Sequence, residues 1–475
     1  MTSHSDIGTD AGRVRPAEDA QSTRAPETER SPDDHCRGPT FDPAAATHVI
    51  LLSIDALRAD YLGCHGSSRD LSPTIDRLAT AGIRFGRAHS PSSHTREAVP
   101  ALLSGQYPSA ATTDNYRLDS PTIATSLQGT PVRSAGIHSN PFVSEGFGYG
   151  DGFDHFDDDM IAGGHPLTAL AQRAIDKLRD RHYAPAETIT KRGVEFLRSQ
   201  AVAGGRPTFT WLHYMDVHGP YEPSALFQSR YLENADGDLD PTQLYERARR
   251  EPGSISQRDR QLLDDLYAAE IASLDTSIAR LLEELTQLGI RDETLLLLTA
   301  DHGEAFGEPG YYEHPRFLPD VLTHVPLIAT GAGVSSRPTV DSPVSTLDIA
   351  PTIAEAFDVD YRGPGTSLAD TAHQPDPDRV VFAQARGEGE DDAIRRYASY
   401  RAGGTAHAQV NTATGDLEVD AEEDPAGTSL LTDHIEADGY PVEGGEPDPA
   451  GGEQTTADGV EERVSHRLQA LGYTE

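Results

Sequence analysis

The chain has 475 residues, about three times the length of a typical domain, so one large domain with appendages or two domains is expected. It carries 39 Lys and Arg against 77 Asp and Glu residues, a net charge of −38. That charge repels polyphosphates and excludes a general nucleic-acid binder that works by neutralising phosphates. The only lysines are Lys177 and Lys191. An acidic, lysine-poor composition rich in Gly and Pro is typical of extreme halophiles, where salt screens the self-repulsion.

Other features of the sequence indicate the cellular location of the protein. No apolar run approaches about 18 residues, so no membrane span is predicted. The first residues, starting at Met1, have neither a basic region nor an apolar stretch, so we predict no signal peptide and a cytoplasmic protein. Cys36 and Cys64 are the only cysteines, which excludes a disulfide framework and a cysteine-based zinc site.

Hydrophobic patterning predicts a tail, a main domain and a C-terminal subdomain. Residues 1–45 are polar and aperiodic, which predicts a disordered tail. The main domain, 46–360, contains two apolar runs typical of buried strands, 48–54 and 294–300. Weaker strand signals lie at 132–138, 208–213 and 325–330.

One amphipathic helix is predicted between these strands. Its apolar residues run from Leu266 to Leu288 at helical spacing, and Gly289 ends it. Strands that alternate with helices predict an α/β fold with a largely parallel sheet.

The composition and hydrophobic patterning of the sequence change after about residue 360. Residues 361–475 predict a small C-terminal subdomain, with short strand-like stretches between 380 and 420. A loosely ordered acidic stretch is expected at 421–459, followed by a short amphipathic helix at 460–471.

Polar residues follow both of the strongest strands directly. Asp55 comes after the first strand, and Asp301-His302-Gly303 comes after the second. In a parallel sheet these side chains meet at the carboxyl edge, where open α/β sheets bind ligands. Two carboxylates and an imidazole predict a divalent metal site, although a single Asp at a strand end is also a common helix N-cap.

A third chemical element is the segment 90–105, a loop that leads into a short helix ended by Gly105. A hydroxyl at the start of that helix, from Ser93 or Thr95, lies beside free backbone N–H groups that favour an anion. The alternative interpretation is that this hydroxyl only caps the helix.

Several motifs occur in the order found in a known family. They are residues 54–66, 72–79, 102–108, 152–154, 216–221, 299–304, His314 and 324–328. Over about residues 48–355 the chain resembles the sulfatase branch of the alkaline phosphatase superfamily. The resemblance implies an α/β/α sandwich around a large mixed, mostly parallel sheet, with a small C-terminal subdomain.

Carried over position by position, the resemblance implies a site. Asp55, Asp301 and His302 bind a divalent metal, and the nucleophile, ten residues before Gly105, is Thr95, whose oxygen also binds the metal. His218 and His314 are implied to contact the transferred group. Arg58 and Arg96 are candidates for substrate contacts, with a structural ion pair as the alternative for Arg58. The donor set favours Zn²⁺ or Mn²⁺; Ca²⁺ and Mg²⁺ prefer oxygen ligands throughout.

The chain departs from the sulfatase pattern at the nucleophile. Sulfatases have a cysteine or serine there, oxidised to formylglycine, followed by Pro two residues later and Arg four residues later. Here these positions are Thr95, Glu97 and Val99, and Ala56 replaces a second acidic residue. A threonine cannot supply the hydrated aldehyde, whereas related phosphodiesterases and phospho-group transferases use threonine.

The sequence therefore predicts a sulfatase-like, metal-dependent hydrolase of small-molecule or glycan esters, with phosphoesters favoured over sulfate esters. One alternative is transfer of a phospho-alcohol group to a glycan or lipid head group. Another is a catalytically silent relative used as a binding module. The presence of Asp55, Thr95, Asp301 and His302 argues against a catalytically inactive protein.

Overall fold

The computed structural model describes residues 40–159, 183–202, 204–232, 240–335, 339–420 and 424–439. Its strands, in chain order, are β1 (His48–Ile54), β2 (Ile83–Arg84), β3 (Ala88–His89), β4 (Arg133–Ile137), β5 (His155–Asp157), β6 (Thr208–Tyr214), β7 (Thr294–Ala300), β8 (Ala305–Phe306), β9 (Tyr312–Glu313), β10 (Leu327–Gly331), β11 (Val344–Ser345), β12 (Val381–Arg386), β13 (Ile394–Arg401), β14 (Gly404–Asn411) and β15 (Leu417–Asp420).

The α-helices of the described residues, in chain order, are α1 (Pro73–Ala81), α2 (Thr95–Ser104), α3 (Pro108–Ala111), α4 (Ile123–Ser126), α5 (Ala186–Val202), α6 (Ala225–Tyr231), α7 (Pro241–Arg250), α8 (Gln257–Gln287), α9 (Asp320–Thr323), α10 (Ile349–Ala356), α11 (Leu368–His373) and α12 (Pro425–Ala437).

The central sheet has the strand order β2-β10-β7-β1-β6-β4-β5. The five strands from β7 to β5 are parallel, and β10 and β2 add an antiparallel edge. Every residue of β1, β6 and β7 is buried, because helices cover both faces of the sheet and leave no polar face. This arrangement confirms the predicted mixed, mostly parallel α/β sheet.

Two groups of helices flank that sheet. Helices α1, α5 and α8 contact one another in one group, and α2, α3, α4, α10 and α11 are linked by contacts in the other. Helix α8 starts nine residues before the predicted apolar face, at a capping box made by Ser256 and Asp259. Its first turns are polar, so hydrophobic spacing did not reveal them. Gly289 follows the helix in the left-handed conformation, with φ +75°.

The C-terminal subdomain is a four-stranded antiparallel sheet, β12-β13-β14-β15. Helix α12 packs on β13 and β14 through Leu431 and Ile435. The first strand also contacts the main domain, because the backbone N–H of Gln384 donates to the carbonyl of Pro91 at 2.8 Å. This contact brings the subdomain next to the loop that precedes helix α2.

The described structure begins before the predicted tail boundary near residue 45. Phe41 is buried and forms a β-bridge with Val334, and a short 3₁₀ turn occupies Pro43–Ala45. Residues 1–39 of the predicted tail, the helix at 460–471 and most of the acidic stretch lie outside the described residues. No helix of the described residues is both long and apolar enough to cross a membrane.

Candidate active site

The candidate site lies at the carboxyl edge of two neighbouring parallel strands. β1 and β7 are in register from end to end, with Ile54 opposite Ala300. Asp55 and Asp301 therefore leave the sheet side by side, and His302 follows at once. All three side chains are fully buried, and one donor atom from each lies within 4.8 Å of the others.

The tautomer of His302 leaves one ring nitrogen free. Its Nδ1 lies 2.8 Å from the carbonyl oxygen of Gly303 and donates to it, so Nε2 keeps its lone pair. That Nε2 lies 3.6 Å from Asp55 Oδ1 and 3.6 Å from Asp301 Oδ2. The spacing suits three ligands of one divalent cation with bonds of about 2 Å.

Each carboxylate has one oxygen that accepts protein hydrogen bonds and one that does not. Asp55 Oδ2 accepts from Asn140 Nδ2 at 2.8 Å, and Asp301 Oδ1 accepts from the backbone N–H groups of Ala56 and His302. Asp55 Oδ1 and Asp301 Oδ2 are buried and accept no hydrogen bond from any described residue. These two oxygens and His302 Nε2 fit a divalent metal.

The pKa values of the two carboxyl groups are shifted in opposite directions. Burial raises the pKa of Asp301, and the neighbouring Asp55 charge raises it further. Burial acts in the same direction on Asp55, but the imidazoles of His218, His213 and His302 more than offset it and hold its pKa below the ordinary value. Asp55 is therefore ionised in the free protein.

Thr95 is the first residue of helix α2. His94 precedes it as the N-cap, and its Nδ1 accepts from the backbone N–H of Arg96 at 3.2 Å. Thr95 Oγ1 is buried, 3.1 Å from His302 Nε2 and 3.4 Å from Asp55 Oδ2. The hydroxyl thus lies between the positive end of a helix and the carboxylate cluster.

The neighbouring hydroxyls have other partners. Ser92 Oγ donates to Glu97 Oε2 at 2.8 Å, and Ser93 Oγ donates to the carbonyl of Pro315 at 3.4 Å. Of the three hydroxyls before and at the start of the helix, Thr95 is the one that contacts the cluster.

Two further histidines extend the cluster from His302. The rings of His218 and His314 are 5.0 Å apart, and the rings of His302 and His314 are 4.3 Å apart. His314 Nδ1 lies 3.4 Å from Glu304 Oε2. Burial lowers the pKa of His218 and lowers that of His314 well below its ordinary value. The His314 imidazole is therefore neutral in the free protein.

The two arginines singled out by sequence lie in different surroundings. The Arg58 guanidinium is buried and pairs with Asp60 and Glu308, each at 2.7 Å. These contacts match the ion-pair interpretation of Arg58. Arg96 follows the nucleophile position, and its guanidinium lies 4.0 Å from the ring centre of Phe142 with part of its side chain exposed. Substrate binding by either arginine stays a prediction.

Asn140 and His94 were not singled out by sequence reasoning. Asn140 lies three residues past the end of β4, so the strand-end rule that found Asp55 also applied to it. His94 gave no signal, because it acts as the cap of a helix whose start was predicted only approximately.

His213 is hydrogen-bonded on one side of its ring and faces Asp55 with the other. Trp211 Nε1 donates to Ser53 Oγ at 2.8 Å, and Ser53 Oγ lies 2.9 Å from His213 Nδ1. Because the Ser53 proton has no other acceptor among the described residues, it goes to Nδ1. Nδ1 is therefore an acceptor, and the ring proton of His213 is on Nε2, 3.4 Å from Asp55 Oδ2. His213 orients Asp55 and has no lone pair free for a metal.

Comparison with known proteins identifies the family of this chain. The sulfatase family matches residues 47–359. The uncharacterized sulfatase YidJ of Escherichia coli K12 is 26% identical over 427 residues, which cover 82% of this chain and 83% of that protein. The low-salt glycan biosynthesis sulfotransferase Agl7 of Haloferax volcanii is 25% identical over 341 residues, 70% of this chain and 66% of that protein.

A solved structure supports the fold. The phosphonate monoester hydrolase of Silicibacter pomeroyi matches with a TM-score of 0.58 at 19% identity, covering 82% of this chain and 94% of that chain. At this identity the likeness establishes the fold alone. The family match spans about two thirds of the sequence and includes Asp55, Thr95, Asp301 and His302. The chain therefore belongs to the sulfatase family of ester hydrolases.

Proposed function

We propose that this enzyme is a metal-dependent hydrolase of phosphate esters of small molecules or glycans, with Thr95 as its nucleophile. The observation that carries the proposal is the position of Thr95 Oγ1. It is buried at the start of helix α2, 3.1 Å from His302 Nε2 and 3.4 Å from Asp55 Oδ2. A hydroxyl that served only as a cap would instead accept backbone N–H groups, and His94 has that role here.

Phosphate is favoured over sulfate by the identity of the nucleophile. A formylglycine hydrate can expel sulfate from its own carbon, but a threonine ester must be cleaved by a second attack on the central atom. That two-step route is the chemistry of phosphoryl transfer through a covalent intermediate.

Asp55, Asp301 and His302 are the residues that would hold the metal, with Thr95 beside them. Their mixed oxygen and nitrogen donors favour Zn²⁺ or Mn²⁺, with Ca²⁺ and Mg²⁺ as alternatives. Such an ion, when bound, lowers the pKa of a nearby hydroxyl and polarises an oxygen of the ester.

The chain's own residues then perform an in-line displacement. A neutral imidazole of the site accepts the Thr95 proton, and Thr95 Oγ1 forms a bond to phosphorus as the bond from phosphorus to the leaving alcohol oxygen breaks. The alcohol takes a proton as it leaves. Water then attacks the phosphothreonine and gives a proton to the same imidazole, which passes it to the Thr95 oxygen as phosphate is released. The N-terminus of helix α2 stabilises negative charge on the phosphoryl oxygens throughout.

We assign the proton transfers to His218 and His314. Both rings lie in the cluster that extends from His302, and an anionic ester bound beside them raises the pKa that burial has lowered. The protonated histidine donates to the leaving oxygen in the first step. In the second step the same residue, now neutral, accepts a proton from the attacking water.

Turnover assays test the proposal. The wild type, Thr95→Ala and Thr95→Ser are compared on an aryl phosphate, an aryl phosphodiester and an aryl sulfate in high salt, with Mn²⁺ or Zn²⁺ present or chelated. We expect phosphoester cleavage that needs metal, falls by about 10³-fold or more in Thr95→Ala, and is largely kept in Thr95→Ser. Sulfate cleavage that survives Thr95→Ala would overturn the proposal.

Transfer is the second candidate, and the similarity to a sulfotransferase favours testing it. In that case an acceptor alcohol replaces water in the second step. Addition of a glycan or lipid-head-group alcohol to the assay distinguishes the two outcomes. Transfer yields a new ester at the expense of free phosphate, whereas hydrolysis leaves the phosphate yield unchanged.

A further inference from the structure

Glu97 is a buried carboxylate two residues after the nucleophile position. Its side chain has no exposed area, and both of its oxygens have partners. Oε2 accepts from Ser92 Oγ at 2.8 Å and lies 3.1 Å from Arg316 Nη1. Oε1 accepts from the backbone N–H of Arg386 at 3.1 Å, with the Nε of that residue 3.8 Å away.

These partners come from three separate parts of the chain. Ser92 lies in the loop that leads into helix α2. Arg316 lies two residues after His314 and is itself almost completely buried. Arg386 ends strand β12 of the C-terminal sheet. One carboxylate thus joins the nucleophile helix, the histidine segment and the C-terminal subdomain.

Helix geometry places Glu97 behind Thr95. Residues two apart on an α-helix are about 200° apart around its axis. Thr95 faces the carboxylate cluster at the edge of the central sheet, so Glu97 points away from it, toward β12. Contacts at Glu97 fix the rotation of the first turn and therefore the direction of Thr95 Oγ1.

We propose that Glu97 is a positioning residue that sets the orientation of Thr95 relative to His314 through its contacts with Ser92, Arg316 and Arg386. The C-terminal subdomain then contributes to catalysis, because Arg386 at the end of β12 holds helix α2 on the side opposite Thr95. The inference rests on Thr95 being the nucleophile.

The kinetic test compares Glu97→Gln with the wild type on the phosphoester that the wild type cleaves best. Gln keeps the length of the side chain but removes the charge that pairs with Arg316. We expect kcat to fall about 10- to 100-fold, because a small misplacement of the nucleophile is costly. KM should stay within about threefold, since no substrate contact is removed.

Two further variants keep the test decisive. Ser92→Ala removes a single hydrogen bond to Glu97 and should lower kcat by about fivefold in a folded protein. Asp275→Asn is the control, because Asp275 is a buried carboxylate on helix α8, where it accepts from the backbone N–H groups of Thr74 and Ile75. It should lower the melting temperature without lowering kcat. Equal kcat losses in Asp275→Asn and Glu97→Gln, or full activity in Glu97→Gln, would overturn the proposal.

Amide hydrogen exchange separates this proposal from the proposed function. Glu97→Gln should speed exchange in segments 92–104 and 314–318, whereas Asp275→Asn, on a helix of the other group, should leave them unchanged. If the wild type cleaves no ester, the proposed function fails, and the exchange pattern still reports on Glu97. If Glu97→Gln leaves both segments as protected as in the wild type, Glu97 does not position the helix.

Discussion

The two sides of helix α2 hold buried carboxylates in opposite ways. On the side of the central sheet, Asp55 and Asp301 each keep one buried oxygen without a hydrogen-bond donor from the described residues. On the side of the C-terminal sheet, Glu97 has a partner for each oxygen, including the arginines Arg316 and Arg386.

The difference separates a ligand site from a structural contact. A buried carboxylate without a cation destabilises the fold, whereas loss of one partner from a buried ion pair is strongly destabilising. Substitution of the two kinds of carboxylate should therefore change stability in opposite directions. The predictions that follow use that contrast, beginning with the largest effect.

Asp301→Asn should remove metal binding and activity together. We expect affinity for Mn²⁺ or Zn²⁺ to fall by more than about 100-fold, beyond the loss typical of residues that only orient a ligand. The metal-free variant should melt at a higher temperature than the metal-free wild type, because the repulsion between Asp301 and Asp55 is relieved. Titration calorimetry and thermal unfolding in high salt measure both. A lower melting temperature for metal-free Asp301→Asn would contradict the expected difference between unpaired and ion-paired buried carboxylates.

Asp348→Asn should have the opposite effect on stability. Asp348 is fully buried and forms two contacts of 2.8 Å with the guanidinium of Arg379. Neutralising one partner of such a pair should lower the free energy of unfolding by about 3 kcal/mol. Denaturant unfolding in high salt measures the change. A loss below about 1 kcal/mol would show that pairing contributes little here.

His213→Gln should weaken metal binding by about tenfold, because His213 orients Asp55 without binding the metal. His48→Gln is the matched control. It removes another buried strand histidine, hydrogen-bonded to Thr208 at the opposite end of the sheet. Calorimetric titration of both variants should show a loss only in His213→Gln. Equal affinities in the two variants would remove His213 from the site.

Glu313 gives the smallest effect, and it depends on pH. Burial raises the pKa of Glu313 to about 7, although Arg249 partly opposes the shift. The folded state therefore holds this proton more tightly than the unfolded state, and stability falls as pH rises from about 4.5 to about 7. Glu313→Gln should stabilise the protein by about 1 kcal/mol more at pH 6 than at pH 5. The same stability difference at both values would contradict the assignment.

The fold and the carboxylate pair were predictable because they depend on local signals. The runs at β1 and β7 are apolar throughout and end in Asp55 and Asp301, and parallel pairing then brings the two residues together. The hydroxyl of Thr95 required the family resemblance, because a Ser-rich loop offers several candidates of equal chemistry. The structure shows that Ser92 and Ser93 have other partners.

The contacts that orient the site were not predictable, because their partners are distant in sequence. Glu97 was visible only as a departure from the sulfatase pattern, and its partner Arg386 is 289 residues away. The tautomer of His213 depends on Ser53, which is 160 residues away on a neighbouring strand. No local periodicity encodes such pairs.

The central claim is that Thr95 becomes covalently bound to the transferred group. An acid-quenched reaction on an activated aryl phosphate or phosphodiester, followed by peptide mapping, tests it most directly. We predict a phosphoryl or alkyl-phosphoryl group on Thr95 that forms at the rate of aryl release and is absent from Thr95→Ala. Turnover with no modified Thr95, or a modification on another residue of the site, would contradict the account.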